Sequence, residues 1–72
     1  MRALDIEQED FETNFNLGVL FYEWNRDYEK AIHYFNIALN EEKNINALFN
    51  LAVIYEEIAD YSKSKQLYMD IL

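Results

Sequence analysis

Phe15–Glu23 reads FNLGVLFYE, and Phe49–Glu57 reads FNLAVIYEE. Five of the nine letters are identical, and Gly18/Ala52, Leu20/Ile54 and Phe21/Tyr55 are close exchanges at an offset of 34 residues. A second echo follows in the same order. Asp27–Leu39 (DYEKAIHYFNIAL) pairs with Asp60–Leu72 (DYSKSKQLYMDIL) at an offset of 33. Two ordered echoes mark an internal repeat, the pattern of chains whose units each bury an apolar side against the next. The change of offset places one extra residue in the first copy, in the turn around Trp24, Asn25 and Arg26.

Each half has helical spacing. Leu17, Leu20, Phe21 and Trp24 recur at three- and four-residue steps, as do Ala31, Phe35, Ala38 and Leu39. The second copy repeats this with Leu48, Leu51, Ile54, Tyr55 and Ile58, then with Ser64, Leu67, Tyr68 and Ile71. Proline is absent and glycine occurs once, so little interrupts a helix. The spacing predicts four helices, roughly 11–24, 27–40, 45–58 and 61–72. Asp10, Asp27, Asn44 and Asp60 are placed to cap them, because a short side-chain oxygen accepts the free amides of a first turn. Asn25 and Asn40 suit helix ends, since Asn tolerates the left-handed conformation. Gly18, Ala31 and Ala38 allow close helix approach while Leu17, Phe21 and Phe35 fill the space between, and Trp24 is expected to plug the core beside the irregular turn.

Seventy-two residues allow one domain at most, of a size that leaves little surplus stability. No cysteine is present, and the lone His33 has no partner histidine or thiol, so neither a disulfide nor a metal or other cofactor is expected. His33 reads as a solvated residue on the outer side of its helix. The acidic cluster Glu7, Glu9, Asp10 and Glu12 lacks the glycine-centred loop of a calcium site and reads as a solvated edge. A net charge of −8, from 14 acidic and 6 basic side chains, disfavours nucleic acid and anionic membrane surfaces as partners. No run approaches a transmembrane span and no export signal opens the chain, so a cytoplasmic protein is expected. Nothing indicates an enzyme: no nucleophile pattern accompanies His33, and Gly18 alone forms no phosphate loop.

These residues resemble the tetratricopeptide repeat, with its W-x2-L-G-x2-Y stretch followed by A-x3-F. Leu17, Gly18 and Phe21 take the Leu, Gly and Tyr places of the first copy, and Ala31, Phe35 and Ala38 follow. In the second, Leu48 stands at the Trp place, with Leu51, Ala52, Tyr55, Ser64, Tyr68 and Ile71 after it. Asn14 departs from the usual large apolar residue, no Pro closes either repeat, and neither turn has Gly. Ala3-Leu4-Asp5-Ile6 resembles Ala38-Leu39-Asn40-Glu41, the end of a second helix. The resemblance implies an all-α fold, two antiparallel helix-turn-helix repeats forming a short right-handed α-solenoid segment. Residues 1–10 would be the remnant of a preceding repeat or an N-terminal arm, 11–43 the first repeat and 44–72 the second, the whole a segment of a longer array.

In that family the first helix of each pair lines a concave groove. The resemblance therefore assigns Phe15, Asn16, Val19, Tyr22 and Glu23, with Phe49, Asn50, Val53, Glu56 and Glu57, to a peptide-binding face. An Asn side chain offers both acceptor and donors, which matches an extended peptide backbone. The four apolar residues would form the floor and the glutamates an acidic rim. The basic clamp by which some members hold a terminal carboxylate is missing, because Phe15, Val19, Phe49 and Val53 occupy its places. A basic or apolar protein segment is the expected partner of a non-catalytic interaction module. Two alternatives stand beside it: a structural spacer or oligomerisation segment of a larger repeat protein, and a peptide-sensing segment of a regulator. The last helix ends on Leu67, Tyr68, Ile71 and Leu72, and covering ~400 Å² of such surface at ~25 cal/mol per Å² is worth ~10 kcal/mol before association costs. A homo-oligomer or helix-swapped dimer through those residues is expected.

Overall fold

A computed structural model describes residues 11–72, all of whose regular elements are helical. Helix α1 spans Phe11–Leu20 and runs on into a π-helical turn, Phe21–Asn25; α2 spans Tyr28–Glu41, α3 Ile45–Glu57 and α4 Tyr61–Ile71. Four helical segments were expected within a residue or two of these bounds. Helix α1 packs along α2 and α3 along α4, and α2 then lies against α3. The arrangement is an all-α helical repeat of two hairpins.

Side-chain oxygens start three of the helices. Asp27 Oδ1 accepts from the Lys30 amide at 3.2 Å, Asp60 Oδ1 from the Lys63 amide at 3.4 Å, and Asn44 Oδ1 from Asn46 at 2.8 Å and Ala47 at 3.4 Å. Each bond satisfies an amide that has no partner within its own helix. The expected cap at Asp10, the acidic cluster from Glu7 to Asp10 and the echo at Ala3–Ile6 lie outside the described residues.

The helix ends differ from expectation. Arg26 and Ala59 take the left-handed conformation, at φ 54° and 66°. Asn25 belongs to the π turn and Asn40 to the body of α2, which ends where the extended Glu42 donates its amide to Ala38 O at 3.0 Å. The extra residue of the first copy is absorbed by the π turn. There, Phe21 O accepts from the Asp27 amide six residues on, at 2.9 Å. In the second copy, Tyr55 O accepts from the Asp60 amide five residues on, at 2.8 Å. Both bonds close the helix against the next capping aspartate, across a turn one residue wider in the first hairpin.

The core lies between the hairpins. Ala31 and Phe35 of α2 meet Ala47, Leu51 and Ile54 of α3, all essentially without solvent contact, and Phe11, Phe15, Val19, Phe21, Tyr55 and Leu67 are among the residues packed around them. Gly18 has a specific steric reason: a Cβ there would lie 2.8 Å from Phe35 ring carbons. The α1 stripe is narrower than its spacing implies. Leu20 is half-exposed and Trp24 is 78% exposed, so Trp24 is no plug. Phe21 takes the inward place at the wide turn, stacked on Tyr34 of α2 at 5.5 Å, and Trp24 is left outside. Asn14, at the place of a large apolar residue, is buried. His33 is exposed, edge-on to Tyr34 at 5.0 Å.

Candidate functional site

The residues expected on the peptide-binding face come from α1 with its π turn and from α3. Asn16 is exposed and its counterpart Asn50 half-buried. Phe15 is half-buried, stacked on Phe11 and edge-on to Phe35, each at 5.6 Å. Phe49 is 51% exposed and meets Tyr68 edge-on at 6.0 Å. Each of these two rings therefore leans on the aromatic residue of its own hairpin's second helix, Phe35 or Tyr68. Phe35 is buried and holds Phe15 in; Tyr68 is only half-buried and leaves Phe49 open. Val19 and Val53 are half-buried.

The acidic residues do not act alike. Tyr22 donates its hydroxyl to Glu57 Oε2 at 2.8 Å, joining the two hairpins across 35 residues of sequence. Burial, then the hydrogen bond to Glu57 and its charge, push the Tyr22 hydroxyl up to about 12, with Arg26 opposing. The Arg26 guanidinium lies 5.7 Å from the centre of the Tyr22 ring. Tyr68 donates to Glu56 Oε1 at 3.3 Å, and burial together with Glu56 raises its pKa as well. Glu23 and Glu56 are exposed, as is Glu57. An ionised carboxylate accepts at both oxygens, so the tyrosines leave Glu56 and Glu57 acceptor capacity for a cationic group.

The residues expected to drive oligomerisation separate. Tyr68 joins Phe49 and Glu56, Leu67 is half-buried against the core, Ile71 is half-buried and Leu72 is fully exposed. Met69 on the same helix is 62% exposed. Among the described residues no cluster of His, Cys, Asp or Glu is arranged to hold a metal ion, and no helix is long and apolar enough to cross a membrane.

The family model for the tetratricopeptide repeat matches residues 46–72, which is nearly the whole second hairpin. No match is found among curated proteins or among solved structures. Repeats of this type are in general non-catalytic modules of protein–protein interaction.

Proposed function

We propose that this chain, a helical-repeat protein of the tetratricopeptide type, is a non-catalytic module that binds an extended basic or apolar protein segment along α1 and α3. One observation carries the reading: Asn16 and Asn50 stand at matching places of successive hairpins and neither is buried. The repeat places two amide side chains in series, each able to donate to and accept from a peptide backbone. Beside them Phe49 offers exposed ring surface, and Glu23, Glu56 and Glu57 supply negative potential. Complementarity then favours lysine, arginine or apolar side chains over acidic ones.

Screening a randomised peptide library against the protein, with fluorescence anisotropy of the selected peptides, tests this. The selected peptides should be basic or apolar. Asn16→Ala with Asn50→Ala should weaken them by about tenfold or more, some 1.4 kcal/mol, with an unchanged thermal melt. Selection of acidic peptides, or indifference to the asparagine changes, would overturn the reading.

A second reading rests on α4, where Met69 and Leu72 are exposed beside half-buried Ile71. It makes this helix a contact between copies. Sedimentation over a concentration series would show association that Leu72→Glu and Met69→Glu abolish; a concentration-independent monomer would exclude it.

A further inference from the structure

The two hairpins differ in what stands against one aromatic ring of each. In the first, the Phe21 ring carries the Lys30 ammonium 5.4 Å from its centre and the Tyr34 ring stacked at 5.5 Å, within 7° of parallel. In the second, Tyr55 replaces Phe21 and carries the Lys63 ammonium at the same 5.4 Å. The counterpart of Tyr34 is Leu67, which has no ring to stack. A cleft of about 320 Å³ opens there between α2, α3 and α4, lined by Leu51, Tyr55, Lys63, Leu67 and Asp70 among others. None of these residues belongs to the peptide-binding face.

The first hairpin therefore displays what fits the second: a planar aromatic ring against the tyrosine, beside a lysine. We propose that this cleft is a docking site for an aromatic side chain of a protein partner, carried next to a basic residue. Leu67 supplies an apolar wall above the buried Leu51 and Tyr55 a ring face, with Asn36 and Gln66 adding polar edges. Offset aromatic stacking and a nearby ammonium both favour a π-system over an aliphatic group of similar size. Asp70 stands where the first hairpin has Ile37, so the rim gains a carboxylate that selects a positive neighbour. The net charge of −8 acts in the same direction at longer range.

The test is a titration of isotope-labelled protein with capped tyrosyl-arginine amide, following backbone amide shifts at Tyr55, Lys63 and Leu67. Saturable shifts with an affinity of about millimolar are expected, and about tenfold weaker binding by the leucyl-arginine analogue. Leu67→Tyr supplies the missing ring from within and should abolish the shifts while the rest of the spectrum stays native. Asp70→Lys, at an exposed position, should remove the preference for arginine over glutamate in the dipeptide. Four results would overturn the proposal: no saturable shift, equal binding of the leucyl analogue, binding that survives Leu67→Tyr, or an arginine preference that survives Asp70→Lys. Shifts of the same amides on concentrating the protein alone, lost in Trp24→Ala, would assign the cleft to a second copy instead of a partner.

Discussion

Gly18→Ala should destabilise this protein, although alanine is the better helix former. The new Cβ would sit 2.8 Å from Cδ1 and Cε1 of Phe35 and 2.9 Å from Cζ. Carbon atoms pack best at about 3.5–4.0 Å, so helix or ring must retreat by roughly 0.7 Å. The Phe35 ring has no solvent to move into, and Phe15 stands edge-on to it at 5.6 Å. Overpacking of this kind costs about 1–3 kcal/mol. Against it stands the gain in helix propensity, about 1 kcal/mol. The net loss is about 1 kcal/mol, and a domain this small loses roughly 4–8 °C of Tm for each kcal/mol. Thermal unfolding followed by circular dichroism reads this directly. Repeating the change in a Phe35→Leu background removes the clash, so there the alanine should be neutral or stabilising, with a coupling of about 1–2 kcal/mol between the sites. A higher Tm for Gly18→Ala in the otherwise unchanged protein would refute the reasoning, as would zero coupling. In the second hairpin Ala52 stands at the place of Gly18, and the counterpart of Phe35 is Tyr68, which is only half-buried.

Ala59 holds a left-handed φ of 66° at an exposed position, so Ala59→Gly should raise Tm by a few degrees, the relief of about 1–2 kcal/mol of strain outweighing the smaller entropic cost of glycine. Asp60→Ala removes the side-chain oxygen that starts α4 and should cost about 1 kcal/mol in a denaturant melt, while Asp60→Asn should cost little. The Tyr22 hydroxyl is pushed up from 10.0 to about 12, so the folded state holds this proton more tightly than the unfolded one. Its contribution to stability is therefore full below pH 10 and lost as pH rises toward about 12; phenolate absorbance should show Tyr22 titrating late, with Tyr68 also raised, and Glu57→Gln should bring Tyr22 down only in part, because burial, the larger cause, remains.

Much of the fold was legible because the repeat prints its rules twice. The helix spacing and the capping aspartates depend on local chemistry, and both copies state them. Asp27 and Asp60 can be read as caps without knowing what packs on them, since an N-cap bond spans only three residues. The inserted residue was equally visible as a change of offset. Its consequence was not, because whether an extra residue widens a helix or lengthens a loop depends on what the neighbouring helix will accept. Here Phe21 stacks on Tyr34 and Trp24 is left in solvent, although both fit the same apolar stripe. Left-handed Arg26 and Ala59 were missed for a related reason: the bonds from Asp27 and Asp60 to Phe21 and Tyr55 impose that conformation on whichever residue precedes the cap. At the site, the resemblance set Asn16, assigned to the open face, apart from Asn14, at the place of a large apolar residue; the first is exposed and the second buried. The bond from Tyr22 to Glu57 was beyond reach, since it joins residues 35 apart whose counterparts, Glu56 and Glu23, cannot make it.

That bond lies on the face proposed to bind peptide, and its strength bears on how binding would proceed. Tyr22 and Glu57 meet at an exposed place, where a hydrogen bond to a charged group is worth a kcal/mol or so. The hairpins are held together far more by the junction of α2 and α3, where Phe35, Leu51 and Ile54 are fully buried. Burying side chains of that size contributes about 1.5–3 kcal/mol each. The spacing of Asn16 and Asn50 is therefore set by the core and not by the tyrosine. In the proposed mode, a lysine or arginine of the partner competing for Glu57 displaces a weak contact and leaves the hairpins where they are. Binding then proceeds by rigid docking with a local side-chain change. Tyr22→Phe should accordingly leave the selected peptide unchanged and, by freeing Glu57, bind a basic peptide somewhat more tightly.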